Sequence, residues 1–558
     1  MSPRRGLAAA LGALLLALAG CAGLPTAGPV TPGLEAGAEA GEPDFAFRPD
    51  SPQPGATPEE IVDGFIRAGT GPGKDGQWSV AKEYLAPGTD WDPTARVTID
   101  EPGDRIYSST AEDQVSLTLS HVADVDELGA YEPSAGEPTK LDFRLAVQSD
   151  GEWRITEAPD GLVLDMSQFS SVFQRYSLMY FDPTWKYLVP DVRWFPRTNA
   201  ATYVTDALID GPPATWLAAS VATAFPESVS VRPSVPVDSD GVAQVELDAA
   251  AADLSPDIQS RMQAQLEASL GSVAGVSSVA MTAGATPLDV QPVATRSTRV
   301  SSLAAVQTEN GFGFLNGDEI DPIDGLTNAM TQVDSVAIQV APDRDFAAVQ
   351  VTTGSNVRVQ ANGDVLEFDT RPGLVEPTAD PSGYSWSVRR DDPSSLVAFS
   401  AGSEQSPIAN AWPEATRVSS MAISRDGTRL AAVVTSGGRS AVWISGVIRS
   451  ADGTPSGLGE PVALGSLSSE SASVAWLDDI TVGVLSGVGA EPEVVELTVG
   501  GPASVTAAPS GAAQLAGGNQ GTLRVRAADG ALYSKRGSTW PQTGAGILVL
   551  ATQQGTPQ

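Results

Sequence analysis

The spacing of apolar positions changes period along this chain, and each change marks a different kind of element. Thr57-Pro58-Glu59-Glu60 predicts a helix start: a capping threonine, a proline at the first helical position and a glutamate three residues after the cap. Ile61, Val62, Phe65 and Ile66 then fall on one helical face, and Gly69 ends the run. A second short helix is expected around Val80 to Leu85. Beyond it the period drops to two, in Val115, Leu117 and Leu119 and again in Leu141, Phe143, Leu145 and Val147. Trp153 to Ile155 continues the strand character after an Asp150-Gly151 turn. Helices followed by a curled antiparallel sheet predict a small α+β domain over residues 58–170.

Residues 175–292 alternate between the two periods, which predicts a mixed α/β unit. Tyr187 to Phe195 is strand-like, and Ala200, Tyr203, Val204, Ala207 and Leu208 follow a helical stripe that Gly211-Pro212-Pro213 stops. Val229 to Val237 and Ala243, Val245 and Leu247 are expected as strands flanking an Asp240-Gly241 turn. Ser255-Pro256 caps a helix carrying Ile258, Met262, Leu266 and Leu270, and a strand closes the unit from Val276 to Met281.

From 300 to 552 helical periodicity disappears. Short β-rich runs recur with Asp-Gly and Gly-Gly turns, beginning at Val336, Tyr384, Met421, Ala472 and Gln514. Their starts are 48, 37, 51 and 42 residues apart. Four strands and their turns need about 40–45 residues, so the runs predict β-propeller blades: five distinct, and a sixth built partly from 303–330. A pair of β-sandwiches is the competing architecture.

Composition adds where the folded part sits. Cys21 is the only cysteine of the 558 residues, so no intrachain disulfide exists. It follows a basic head with Arg4 and Arg5, an apolar run of 13 residues from Gly6 to Leu18, and the small residues Ala19 and Gly20. That is an export signal over residues 1–20, and the run is shorter than the ~20 residues a spanning helix needs. Leu18-Ala19-Gly20-Cys21 resembles the bacterial lipobox, in which the thiol takes a diacylglycerol and cleavage leaves the cysteine as residue one. Lipid on Cys21 implies a chain anchored at the extracytoplasmic face of the cell membrane, since two acyl chains hold stably where one does not. Residues 21–57 are rich in Pro, Gly, Ala and Glu and are expected to form a disordered tether. The net charge of −35 disfavours nucleic acid and anionic lipid as partners.

Catalytic chemistry finds little material. The single histidine, His121, lies in the expected strand Val115 to Val122 and is read as structural, which leaves a Ser-His-Asp triad without its imidazole. No serine has the nucleophile-elbow glycines around it. Gly69 to Asp75 fails as a phosphate loop, having Asp75 where a Ser or Thr should hold magnesium. Asp238-Ser239-Asp240-Gly241 is read as a hairpin turn, and Asp318, Glu319, Asp321 and Asp324 as a solvated acidic loop rather than a weak calcium site. Paired carboxylates remain formally open for an enzyme, but nothing selects a pair. The expectation is therefore no enzyme, no cofactor and no metal.

Leu208-Ile209-Asp210-Gly211-Pro212, with Ala224-Phe225-Pro226 soon after, makes the 175–292 unit similar to the GerMN domain of envelope lipoproteins. The order of elements in 58–170 is similar to that of NTF2-type cones. Gly20-Cys21-Ala22-Gly23-Leu24-Pro25-Thr26-Ala27-Gly28-Pro29-Val30 and the order of domains resemble the LpqB family of actinobacterial lipoproteins. That resemblance implies a non-enzymatic accessory of the MtrA–MtrB two-component system, touching the extracytoplasmic domain of the sensor kinase, with cell division and wall homeostasis downstream. The alternatives are a lipoprotein that binds wall glycan or peptide and, behind it, a propeller hydrolase.

Overall fold

The computed structural model describes residues 49–557 apart from 74–75, 135, 469–470, 488–490 and 520–521. The expected first helix spans Pro58–Ala68. Its cap is reciprocal: the Thr57 hydroxyl accepts from the Glu60 amide, and the Glu60 carboxylate accepts from the Thr57 amide at 2.8 Å. Ile61, Val62, Phe65 and Ile66 are buried, with Phe65 edge-on to Trp91 at 4.9 Å. The second helix is the short Ser79–Lys82.

The single curled antiparallel sheet expected for this domain is in fact two four-stranded sheets. One runs in chain order through Ile106–Ala111, Gln114–Leu119, Thr139–Val147 and Trp153–Glu157. The other is mixed, because Leu162–Asp165 returns parallel to Arg96–Asp100. A parallel return needs a long connection, here the whole intervening sheet, and local alternation carries no sign of it.

In the middle unit, Leu188–Pro196 pairs along its full length with Phe173–Phe181, a partner strand that the sequence reading lacked. Helices Ala200–Ile209 and Pro256–Leu270 stand where the periodicity put them, and Val242–Leu247 runs parallel to Ser278–Ala283. The expected strand from Val229 to Val237 does not form. Only the isolated bridges Val231 to Leu247 and Val237 to Ala243 remain, since Pro233 and Pro236 have no N–H to give a ladder.

The C-terminal part is a propeller with six blades among the described residues, five of four strands and one, from Arg417 to Leu467, of five. Five have as their innermost strands Ser335–Val340, Thr378–Ala379, Arg417–Ile423, Ser471–Trp476 and Ala512–Gly517. The remaining blade joins Ala304–Thr308, Gly311–Asn316 and Glu319–Pro322 to the C-terminal strand Ile547–Gln553, which closes the ring. Closure also passes from blade to blade, where Gln339 and Val340 pair parallel with Thr552 and Gln553.

The two ends of the propeller differ. Where the inner strands finish, Gln554 donates to the Ile423 carbonyl at 3.1 Å and Arg425 donates to the Gly518 carbonyl at 2.8 Å, lacing blades together. The linker from the middle unit crosses this same end. Thr298 donates to Asp479 at 2.8 Å, the Asn519 side chain accepts from the Val300 amide and donates to its carbonyl, and Arg524 donates to the Ser302 carbonyl. The middle unit packs here too: Gly446 lies so close to Ser220 and the Trp216 carbonyl that a β-carbon would not fit. The opposite end, where inner strands begin, carries Val336 and Leu548 at 40% and 49% exposure.

Candidate functional site

The residues expected to carry the lipid anchor (Leu18, Ala19, Gly20 and Cys21) lie outside the described residues, as do Lys74 and Asp75 of the rejected phosphate loop. His121 opens the strand His121–Asp126, where its Nε2 sits 3.1 Å from the Asp124 carboxylate. Asp238 accepts from the backbone of Asp240 and Val242 and from Gln244, which is a turn closed on itself. In the 318–324 cluster, Asp321 accepts from Asn316 at 2.9 Å. Among the described residues no three His, Cys, Asp or Glu side chains come together as a metal-holding group. No helix among them is long and apolar enough to cross a membrane.

Two constellations that the sequence reading missed stand out instead. The first is a cleft of about 250 Å³ at the meeting of all three domains. The N-terminal domain contributes Asp126, Leu128 and Ala130 to Pro133; the middle unit contributes Asp191 to Arg193 and Ala214 to Trp216; the propeller contributes Val462 to Leu464 and Thr498 to Gly501. Its floor is an ion pair. Arg193 donates to Asp191 at 2.9 Å, and both side chains are almost wholly buried. The remaining capacity of each is used: Asp191 accepts from the Ala214 amide at 2.8 Å, and Arg193 donates to the Leu128 carbonyl at 3.1 Å. Such a pair is tolerated without water because its lone pairs and protons are met. Burial also pushes the hydroxyl of Tyr131, on the cleft wall, up to about 12.

Next to the floor, Trp194 ties three domains at one point. Its indole N–H donates to the Gly500 carbonyl of the propeller at 2.8 Å. Its ring packs on Phe169 at 4.9 Å and near Tyr131 at 6.2 Å, both from the N-terminal side. A signal for this site did exist in the sequence. Asp191 and Arg193 put opposite charges two apart in an otherwise apolar strand, where successive alternate residues share a face.

The second constellation is the exposed end of the propeller, where part-buried Glu376 precedes an inner strand. Surrounding protein pushes its carboxyl up to about 7, with the Arg390 guanidinium pulling weakly the other way. Between the ordinary carboxylate range and about 7, the folded state holds a proton that the unfolded chain has lost, so stability falls as pH rises through that window. Glu376→Gln is expected to flatten this decline, read as the melting temperature of the propeller between pH 5 and 8. An unchanged slope would assign the decline to other groups.

Residues 51–170 match the family model for the N-terminal domain of lipoprotein LpqB, and residues 310–547 match the model for the LpqB β-propeller domain. Between them, residues 177–289 match the Germane model of sporulation and spore germination. The chain is similar to lipoprotein LpqB of Cutibacterium acnes (strain DSM 16379 / KPA171202), with 27% identity over 79% of this chain and 75% of that protein. Its similarity to lipoprotein LpqB of Rhodococcus jostii (strain RHA1) is 32% identity over 42% of this chain and 38% of that protein. Among solved structures, TolB from Acinetobacter baumannii overlaps 45% of this chain and 66% of its own at 11% identity and a TM-score of 0.34, a likeness too slight to argue from.

Proposed function

We propose, from the premise that this chain is an LpqB-type lipoprotein, that it is a non-enzymatic accessory of an envelope sensor kinase. In this reading the lipid on Cys21 holds it to the extracytoplasmic face of the cell membrane. The folded head engages the extracytoplasmic part of an MtrB-type kinase and biases it between signalling states. Tethering to the same membrane raises the local concentration of the two proteins and lets a modest contact suffice.

The observation that supports this most is how the propeller is used. The other two domains and the linker occupy one end, held by Trp194 and the Thr298 to Ser302 contacts, while the opposite end stays exposed. Fixed domains with a free loop face suit protein contact better than turnover. The side chains of the cleft floor are bonded to one another rather than poised for proton transfer.

The test is a crosslinked pull-down from membranes, comparing the acylated protein with Cys21→Ser exported by a cleavable signal. Recovery of one sensor kinase, at least several-fold lower from the unanchored protein, is the expected result. Recovery of wall glycan or peptide without a kinase would replace this reading with wall binding.

A further inference from the structure

The three-domain cleft is bordered by two strands that each end a sheet, the outward side of the first being met at Gly129, where the Trp194 amide donates to the carbonyl at 2.8 Å. Tyr131–Pro133 ends its sheet, and Val462–Leu467 is the outer strand of the fourth blade. In the first of these, the Ser134 amide donates to the Val122 carbonyl and the Asp126 amide to the Ala130 carbonyl. Hydrogen-bonded and non-bonded pairs alternate in an antiparallel ladder. Glu132 is therefore the residue that bonds Asp124, and Tyr131 turns its N–H and carbonyl, and Pro133 its carbonyl alone, away from the sheet. Along the second strand Val462 and Ala463 are exposed and Leu464 is part-buried. Unpaired strand edges beside apolar side chains are templates for an added strand.

Charge selects what is added. Of the lining side chains, Asp126, Glu132 and Asp191 are acidic and only Arg193 is basic. Arg193 is consumed by Asp191, and Asp126 closes its own turn by accepting from the Leu128 and Ala130 amides at 2.9 and 2.7 Å, which leaves the exposed Glu132 on the rim to act outward. The chain as a whole carries −35, so the surrounding field attracts cations as well.

We propose that this cleft docks an extended segment of a partner protein bearing lysine or arginine, added as a strand along the free edges at Tyr131–Pro133 and Val462–Leu464. Backbone hydrogen bonds hold the segment, alternate apolar side chains enter toward Leu464 and Leu128, and a cation faces Glu132. This goes beyond the accessory reading and does not depend on which protein supplies the segment.

The test uses the whole mature chain with Cys21→Ser and a fluorescein-labelled, end-blocked octapeptide of alternating lysine and valine. Saturable binding is expected, at least tenfold weaker for the glutamate–valine octapeptide and for the lysine–valine octapeptide with alternate backbone nitrogens methylated. Glu132→Lys, at an exposed position, is expected to weaken the lysine–valine peptide at least tenfold without moving the thermal melt. A photo-crosslinking copy of the peptide should label residues 128–133 or 462–464. Absent saturation, equal affinity for all three peptides, or crosslinks confined to the open propeller end would overturn the proposal. Kinase capture from membranes by Glu132→Lys at the level of the parent would then leave the accessory reading standing while this one falls.

Discussion

Replacing Trp194 with alanine loosens the joint between the propeller and the domains before it, at a cost of about 3 kcal/mol for a large, partly exposed aromatic. Two things are lost together. The hydrogen bond to the Gly500 carbonyl disappears, leaving that acceptor beside the cleft. The ring that fills the space against Phe169 and Tyr131 disappears as well. Because these contacts join separate hydrophobic cores, the effect should be uneven across the chain. Limited proteolysis is expected to cut Trp194→Ala between the middle unit and the propeller, in or near residues 290–303, several-fold faster than the parent. Each core should melt close to its original temperature. Trp194→Phe keeps most of the packing without the N–H and should fall between the two. A protease pattern identical to the parent would mean that the Thr298 to Ser302 contacts alone hold the domains together.

Asp426→Ala is expected to destabilise the propeller itself by about 3–5 kcal/mol, because it strands a buried guanidinium. Asp426 and Arg429 are paired with both side chains essentially without solvent contact. Arg429 also donates to the Asp479 carbonyl at 2.8 Å and lies over the Trp476 ring at 4.8 Å, so the pair links the fourth blade to the fifth. Burial raises the Asp426 carboxyl, but Arg429 and the hydroxyls of Thr428 and Ser424 together outweigh it and leave it below the usual range. A lowered carboxylate contributes stability above its unfolded pKa and loses it as pH falls through the folded value. The propeller transition should therefore weaken toward strong acid in the parent and be flatter there in Asp426→Ala. The double change Asp426→Leu with Arg429→Met removes both charges and should recover most of the loss, since an apolar pair of similar volume often replaces a buried ion pair at no net penalty. Urea unfolding followed by tryptophan fluorescence measures all three. A double variant as unstable as Asp426→Ala would show that Arg429 serves mainly through Asp479 and Trp476.

Both sites were nearly invisible in the chain, and the reason is the same. Asp426-Gly427-Thr428-Arg429 reads as an ordinary hairpin turn, and its Gly427 does take the positive φ of 76° such a turn needs. Nothing local says that the turn is sealed under the next blade. The blade spacing itself was legible, because each blade repeats a period-two run and a turn within about 50 residues. The sixth blade was only half legible. Its three N-terminal strands sit near 304–322, whereas its inner strand lies more than 220 residues away at Ile547–Gln553.

The same contrast holds in the earlier domains. The Thr57–Glu60 cap, the buried face of Ile61, Val62, Phe65 and Ile66 and the Ser255 cap depend on contacts within one turn, so the sequence determined them by itself. It equally determined the lone Cys21 and the acidic balance. Only the tertiary structure decided that Leu162–Asp165 returns parallel to Arg96–Asp100, that Trp194 reaches Gly500 and that the Asp191–Arg193 pair floors a cleft. Each of these joins residues far apart in the chain or walls contributed by several domains. Short-range propensity fixes caps, faces and turns, while the partners of strands and buried charges are chosen by which distant surfaces must be covered together.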